Sequence, residues 1–198
     1  MLNLHGRIIE QAYPSLEVTS RCITAHPEGV HDELTEGTAS PLVVELALAF
    51  EHEGFDAVVV SCAGDPGVEG ARQKLRIPVI GAGEATAALA LGFGGRVGAL
   101  GITAEVPAAM RAILRDSLVS SARPAGVYTT LDLLTEEGRA SVNEAALSLK
   151  REGARVIALA CTGLSTIGAA SAIRAATGLR VIDPVIAEGL FAYHAVSF

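Results

Sequence analysis

The strongest constraint on this chain is that it repeats itself. Glu53-Gly54-Phe55-Asp56-Ala57-Val58-Val59-Val60-Ser61-Cys62-Ala63-Gly64 aligns without a gap with Glu152-Gly153-Ala154-Arg155-Val156-Ile157-Ala158-Leu159-Ala160-Cys161-Thr162-Gly163, so that Cys62 and Cys161 stand 99 positions apart. Leu75-Arg76-Ile77 likewise resembles Leu179-Arg180-Val181, and Glu84 matches Glu188, both at a spacing of 104. Each copy is an apolar, β-branched run that ends in cysteine and passes through glycine toward a helical pattern. That is how a strand buried on both faces and followed by a helix reads. Self-similarity across half the chain predicts two related α/β lobes facing each other.

The rest of the chain follows the same alternation. Strands are expected over residues 16–23, 56–62, 78–81, 96–101, 126–131, 155–161 and 179–182. Helices are expected over 4–12, 42–53, 68–75, 84–91, 106–115, 136–152 and 165–176. Aromatics make up only 4% of the chain and tryptophan is absent, so small aliphatic residues and 21 glycines must build the core. Such a composition suits parallel sheets flanked by helices and joined by tight strand-to-helix turns. The predicted fold is α/β with two pseudo-symmetric lobes, each a parallel sheet flanked by helices, and an active site in the cleft between them. Residues 1–93 with 183–198 form the first lobe and residues 94–182 the second. The repeat also predicts a gap. The second lobe opens with the strand at 96–101, whose counterpart in the first would fall before residue 1. The first lobe is therefore expected to lack its N-terminal strand.

Charge and cysteine usage exclude several classes. A formal charge of -7 argues against nucleic acid or an anionic membrane as partner. Residues 42–50 are the most apolar stretch of the first half, and Glu45 interrupts them, far short of the ~20 apolar residues of a membrane helix. The first seven residues carry no signal-peptide pattern. Three widely spaced cysteines form no disulfide framework, which predicts a soluble cytoplasmic protein.

The chemistry is expected at the two cysteines, because ligands of open α/β sheets bind beyond the carboxyl ends of the strands. Asp65 and Pro66 after Cys62, and Ser165 after Cys161, are placed to start the next helices, Asp65 and Ser165 as caps and Pro66 in the first turn. Each sulfur would then lie near a helix N-terminus, which favours thiolate and keeps thiol and thiolate both accessible near neutrality. Pseudo-symmetry sets the two sulfurs on opposite walls of one cleft. That arrangement suits a two-base reaction in which one thiolate removes a proton from one face of a carbon and the opposing thiol delivers one to the other.

Ser61-Cys62-Ala63-Gly64-Asp65-Pro66-Gly67, followed by Ile77-Pro78-Val79-Ile80-Gly81 and Glu84-Ala85, resembles the Asp/Glu/hydantoin racemase superfamily, and most of all its hydantoin racemase branch. Leu159-Ala160-Cys161-Thr162-Gly163 and Val181-Ile182-Asp183 resemble that branch's second cysteine motif and last strand. The resemblance implies cofactor-independent racemisation of a small-molecule substrate by a homo-oligomer, with Cys62 and Cys161 as the catalytic acid/base pair. It also implies that backbone amides of Ala63, Gly64, Thr162 and Gly163 hold the substrate's carbonyls or carboxylate, with Thr103 facing the cleft. Two departures stand out. No Asn-Pro-Asn-Thr/Ser motif is present, and Cys62-Ala63-Gly64-Asp65 replaces the Cys-Asn-Thr of the amino-acid racemases, which disfavours free aspartate or glutamate.

Other readings stay open at this level. The chain could be an aspartate/glutamate racemase, a maleate isomerase or an arylmalonate decarboxylase of the same superfamily, or a catalytically inactive small-molecule-binding or oligomerisation protein. Gly81-Ala82-Gly83-Glu84 superficially resembles a dinucleotide fingerprint but lacks the third glycine and places a carboxylate toward the pyrophosphate. Cys22 reads as structural, Asp183-Pro184 as a turn, and the five scattered histidines as surface or packing residues. Among these, only His31, beside Asp32 and Glu33, is a candidate for the cleft edge.

Overall fold

Two glycines at the same place in each copy of the repeat explain why both halves leave a helix in the same way. Gly54 and Gly153 have φ of 89° and 92°, a conformation that costs glycine little. The next residue folds back, Phe55 N–H onto Phe50 C=O at 3.2 Å and Ala154 N–H onto Leu149 C=O at 3.0 Å, closing the helix end and launching a strand. The computed structural model describes residues 3–26, 29–30 and 32–198. Its first half runs α1 (Leu4–Ala12), α2 (Glu33–His52), β1 (Val58–Val60), α3 (Val68–Arg72), β2 (Val79–Gly81) and α4 (Ala82–Leu91). The second half runs β3 (Val97–Leu100), α5 (Ala108–Leu114), β4 (Leu118–Ala122), α6 (Glu136–Arg151), β5 (Val156–Leu159), α7 (Thr162–Thr166), α8 (Ala169–Thr177), β6 (Arg180–Ile182) and α9 (Pro184–Ser197).

The strands form two parallel sheets, β1-β2 and β4-β3-β5-β6. The helices that follow the matched Leu-Arg-Ile/Val segments, α4 and α9, pack against each other, and α9 also returns to α1, β1 and β2. Between the sheets lies a core of small residues, including Ala85, Ala87 and Ala90 of α4, Ile80 of β2, Val156 and Ala158 of β5 and Ala187 of α9. Alanine on nearly every side of α4 lets the helix approach both sheets closely, which is where the scarcity of aromatics finds its use. No helix of the described residues is long and apolar enough to cross a membrane.

Three sequence expectations need correction. The strand expected at 126–131 lies earlier, at β4, because Arg115 takes φ 46° and turns the chain straight out of α5. β4 is an edge strand with a half-exposed pattern, so it carries no continuous apolar run. Residues 126–131 looked β-branched, but Asp132 captures the N–H groups of Tyr128 and Thr129 at 2.9 and 2.8 Å and holds them as a loop. Residues 16–23 form no strand with any of the described residues. Finally, Asp183-Pro184 opens α9: the Asp183 carboxylate accepts from Val185 N–H at 2.9 Å and Ile186 N–H at 3.2 Å, with Pro184 in the first turn.

In β3, at the centre of the four-stranded sheet, a Cβ on Gly98 would sit 2.9 Å from Ala154 Cβ and 3.1 Å from Leu149 Cβ. Gly98→Ala is therefore expected to cost about 1–3 kcal/mol of stability by overpacking. Urea denaturation should show a lower midpoint with an unchanged slope.

Candidate active site

The loop after β1 is shaped by Asp65, which sits in the left-handed region at φ 54° and is buried. Its carboxylate oxygens accept from Gly83 N–H at 2.8 Å and Glu84 N–H at 2.7 Å, satisfying two N-terminal amides of α4. Asp65 thus caps α4, while Gly67, at φ 72°, occupies the N-cap of α3 and Pro66 precedes it. The sequence had placed Asp65 and Pro66 at the start of the next helix. The glycines of Gly81-Ala82-Gly83 make room for this contact. A Cβ on Gly81 would fall 2.5 Å from the Asp65 carboxyl carbon, and one on Gly83 would fall 2.2 Å from Ala63 O. Burial pushes the Asp65 carboxyl up to about 7, against the pull of the two N–H donors.

The loop after β5 solves the same problem differently. Cys161 itself is the N-cap of α7, and Leu164 N–H donates to its carbonyl at 3.1 Å. Ser165, expected as a cap, is buried inside α7 and donates to Asp183 Oδ1 at 2.8 Å. The two loops touch: Thr162 Oγ1 donates to Ser61 O at 3.3 Å, joining the residue after Cys161 to the residue before Cys62.

Cys161 is buried and Cys62 partly exposed. Protein nevertheless surrounds both thiols. Burial pushes Cys62 up to about 12, opposed by the Gly64 N–H on its sulfur and reinforced by neighbouring Cys161, Asp65 and Glu36. Burial pushes Cys161 up to about 11, opposed by N–H groups of Gly163 and Leu164. The expected coexistence of thiol and thiolate near neutrality is thus corrected: desolvation outweighs the backbone donors, and both groups are thiols at neutral pH.

All seven residues singled out by the sequence, Cys62, Ala63, Gly64, Thr103, Cys161, Thr162 and Gly163, line one cavity of about 1080 Å³. Thr103 donates its hydroxyl proton to Glu105 O at 2.6 Å, leaving its lone pairs to accept. His31 lies outside the described residues. Cys22 is exposed rather than structural and lines the same cavity.

Sequence reasoning missed a polar chain on the cavity wall. Ser61 Oγ donates to Glu188 Oε1 at 2.6 Å, so it accepts from His5 Nδ1–H at 2.8 Å, and His5 Nε2 shares a hydrogen bond with Thr166 Oγ1 at 2.9 Å. Glu188 is fully buried, its Oε2 has no hydrogen-bond partner among the described residues, and burial raises its carboxyl well above the usual range. Burial likewise lowers His5, with Asp183 opposing. The Glu84/Glu188 match hinted at the position, but the two residues diverge. Glu84 pairs with Arg72 at 2.6 Å on the partly exposed flank of α4.

The chain is similar to racemases of known sequence and structure. A family model described as Asp/Glu/Hydantoin racemase matches residues 3–188. A hydantoin racemase of Pseudomonas sp. (strain NS671) is 27% identical, over 84% of this chain and 68% of its own length. The structure of an allantoin racemase from Klebsiella pneumoniae superposes with a TM-score of 0.84 at 25% identity, covering 99% of this chain and 81% of that one. A glutamate racemase from Aquifex pyrophilus shares the fold at a TM-score of 0.69 and 21% identity, covering 98% and 79%.

The Asp65 cap generates a test. Asp65→Ala leaves two buried α4 amides unpaired and should cost about 1.5–3 kcal/mol. Because the folded carboxyl holds its proton to about pH 7, its contribution to stability is full below the unfolded value of about 3.9 and is lost as pH rises through 7. Asp65→Asn should remove that part of the decline in denaturation curves across the window.

Proposed function

The chain belongs to the Asp/Glu/hydantoin racemase family and is a racemase of that superfamily, and we propose that it inverts a hydantoin-like or other amino-acid-derived stereocentre by two-base proton transfer between Cys62 and Cys161. The observation that carries this reading is the pair of matched cysteine loops, joined by the Thr162–Ser61 hydrogen bond, with both cysteines on one cavity. One thiolate takes the proton from C5 of the ring, and the negative charge spreads onto the adjacent carbonyl. The opposing thiol then protonates the other face, and the two sulfurs exchange roles. No cofactor takes part in this scheme.

A carbonyl-acidified C5–H gives up its proton more readily than the α-carbon of a free amino acid, which suits a site where thiolate is scarce. The named activities of the Pseudomonas and Klebsiella relatives point to the same class, since allantoin is itself a hydantoin carrying a ureido group. With the N–H groups of Gly64 and Gly163 engaged by sulfur, those of Ala63 and Thr162 are left for the developing oxyanion. Thr103, accepting rather than donating, suits a ring N–H. We read residues 1–93 with 183–198 and residues 94–182 as the two lobes that carry these loops, a division favoured by the return of α9 to α1 and α4.

Wild-type protein in D2O should place deuterium in the inverted enantiomer of a substituted hydantoin. Cys62→Ser and Cys161→Ser should each lower racemisation by about 10²–10⁴-fold. Undiminished racemisation in either variant would exclude the two-base mechanism, and inactivity of the wild type across hydantoins and amino acids would exclude the substrate class. Because the free enzyme must shed a thiol proton held to about pH 11 at Cys161 or about pH 12 at Cys62, kcat/KM should climb about tenfold per unit between roughly pH 7 and 9. A flat profile over that range would contradict the assignment.

A further inference from the structure

The residues before the two cysteines are counterparts in the repeat but are held by different means. Ala160, before Cys161, donates its N–H to Leu100 O at 2.7 Å, a backbone bond into β3. Ser61, before Cys62, is held by its hydroxyl, which donates to Glu188 Oε1 at 2.6 Å and accepts from His5 at 2.8 Å. Its carbonyl takes the Thr162 hydroxyl at 3.3 Å. The contacts close on themselves, since His5 Nε2 meets Thr166 Oγ1 at 2.9 Å and Thr166 Oγ1 reaches Thr162 O at 3.4 Å. Ser61 is therefore pinned at its side chain and at its carbonyl, and that carbonyl shares a peptide group with the Cys62 nitrogen.

Glu188 joins this ring from α9, and packing does not account for it. It is fully buried, with one carboxyl oxygen left without a partner among the described residues. A carboxyl in such a place lowers stability, and an apolar side chain of the same length would fill the space without that penalty. The repeat does not require it either, since the matching Glu84 lies on a partly exposed flank and pairs with Arg72. Polar groups kept at the expense of stability concentrate at functional sites. What Glu188 supplies is a fixed acceptor beside Cys62.

We propose that Glu188 is the positioning residue of Cys62: it orients the Ser61 hydroxyl, and Ser61 passes that orientation through its peptide group to the cysteine. The proposal rests on the two-cysteine reading of the site. Proton transfer needs the sulfur within hydrogen-bond reach of the reacting C–H, and a misplacement of about 1 Å costs on the order of a hundredfold in rate. Cys161 is placed through Ala160 and β3 and does not lean on Glu188.

The test compares Glu188→Met, which keeps the length and loses the acceptor, with Glu188→Gln, which keeps an oxygen for Ser61. Burial favours the neutral acid at Glu188, so glutamine changes little in charge. Alkylation of each cysteine by iodoacetamide is followed at one mildly alkaline pH by mass spectrometry of the separate peptides. In Glu188→Met the freed loop admits water to Cys62, whose alkylation should rise about tenfold while that of Cys161 stays within about twofold. Racemisation of a substituted hydantoin should fall about 10–100-fold, while the urea midpoint holds or rises. Glu188→Gln should bring the alkylation ratio and the rate to within about threefold of wild type. An unchanged ratio in Glu188→Met, or equal effects of the two substitutions, would overturn the proposal. A lower midpoint with both cysteines accelerated alike would overturn it in favour of a structural role. The alkylation ratio needs no turnover, so it decides the role of Glu188 even where an inactive wild type removes the racemase reading.

Discussion

The carboxylate of Asp65 ties the first cysteine loop to the helix on which both sheets rest. Its two oxygens hold the first free amides of α4, and α4 packs on β2, β5, β6 and α9. The position of Cys62, three residues earlier, is thereby fixed relative to the second sheet through one side chain. The contact demands a left-handed backbone at Asp65, no side chain at Gly81 and none at Gly83. A Gly-x-Gly that looked like a weak nucleotide motif is the socket for a carboxylate from another loop.

Burial of the thiols follows from the same closeness. Loops held tightly enough to bring Thr162 onto Ser61 leave little water around either sulfur, and the backbone N–H groups aimed at them only partly offset that loss. A buried thiol is a poor acid at rest and its thiolate a strong base once formed. For abstracting a carbon-bound proton this trade has a direction, since base strength rises with the pKa of its conjugate acid. The site therefore suits a C–H already acidified by an adjacent carbonyl.

Legibility in the sequence followed the range of the interactions. The helix ends at Gly54 and Gly153 and the strands at both cysteines depend on neighbours within five residues or on continuous burial, so the repeat exposed them. β4 was hidden because an edge strand needs no apolar run, and α9 because Asp183-Pro184 reads equally as a turn or as a cap. The chain from Glu188 through Ser61 to His5 joins residues 127 and 56 positions apart. No local spacing announces such a contact. His5 in particular looked like one of five scattered histidines until α1 placed it against both cysteine-bearing halves.

The two halves of the site are alike in sequence but not in support. Cys161 follows a strand braced on both edges and takes two N–H groups on its sulfur, whereas Cys62 follows a strand braced on one edge and takes one. What the first half lacks in sheet it makes up in side chains, since Ser61 is held by His5 from α1 and by Glu188 from α9. This polar bracing has a consequence that sheet pairing does not. A buried carboxyl, one of whose oxygens has no partner among the described residues, and an imidazole hydrogen-bonded through both nitrogens hold Ser61 only while their protons stay where the hydrogen bonds require them. The position of Cys62 is thus tied to the protonation of its neighbours, while that of Cys161 is tied to backbone geometry, and the pseudo-symmetry of the chain ends at that difference.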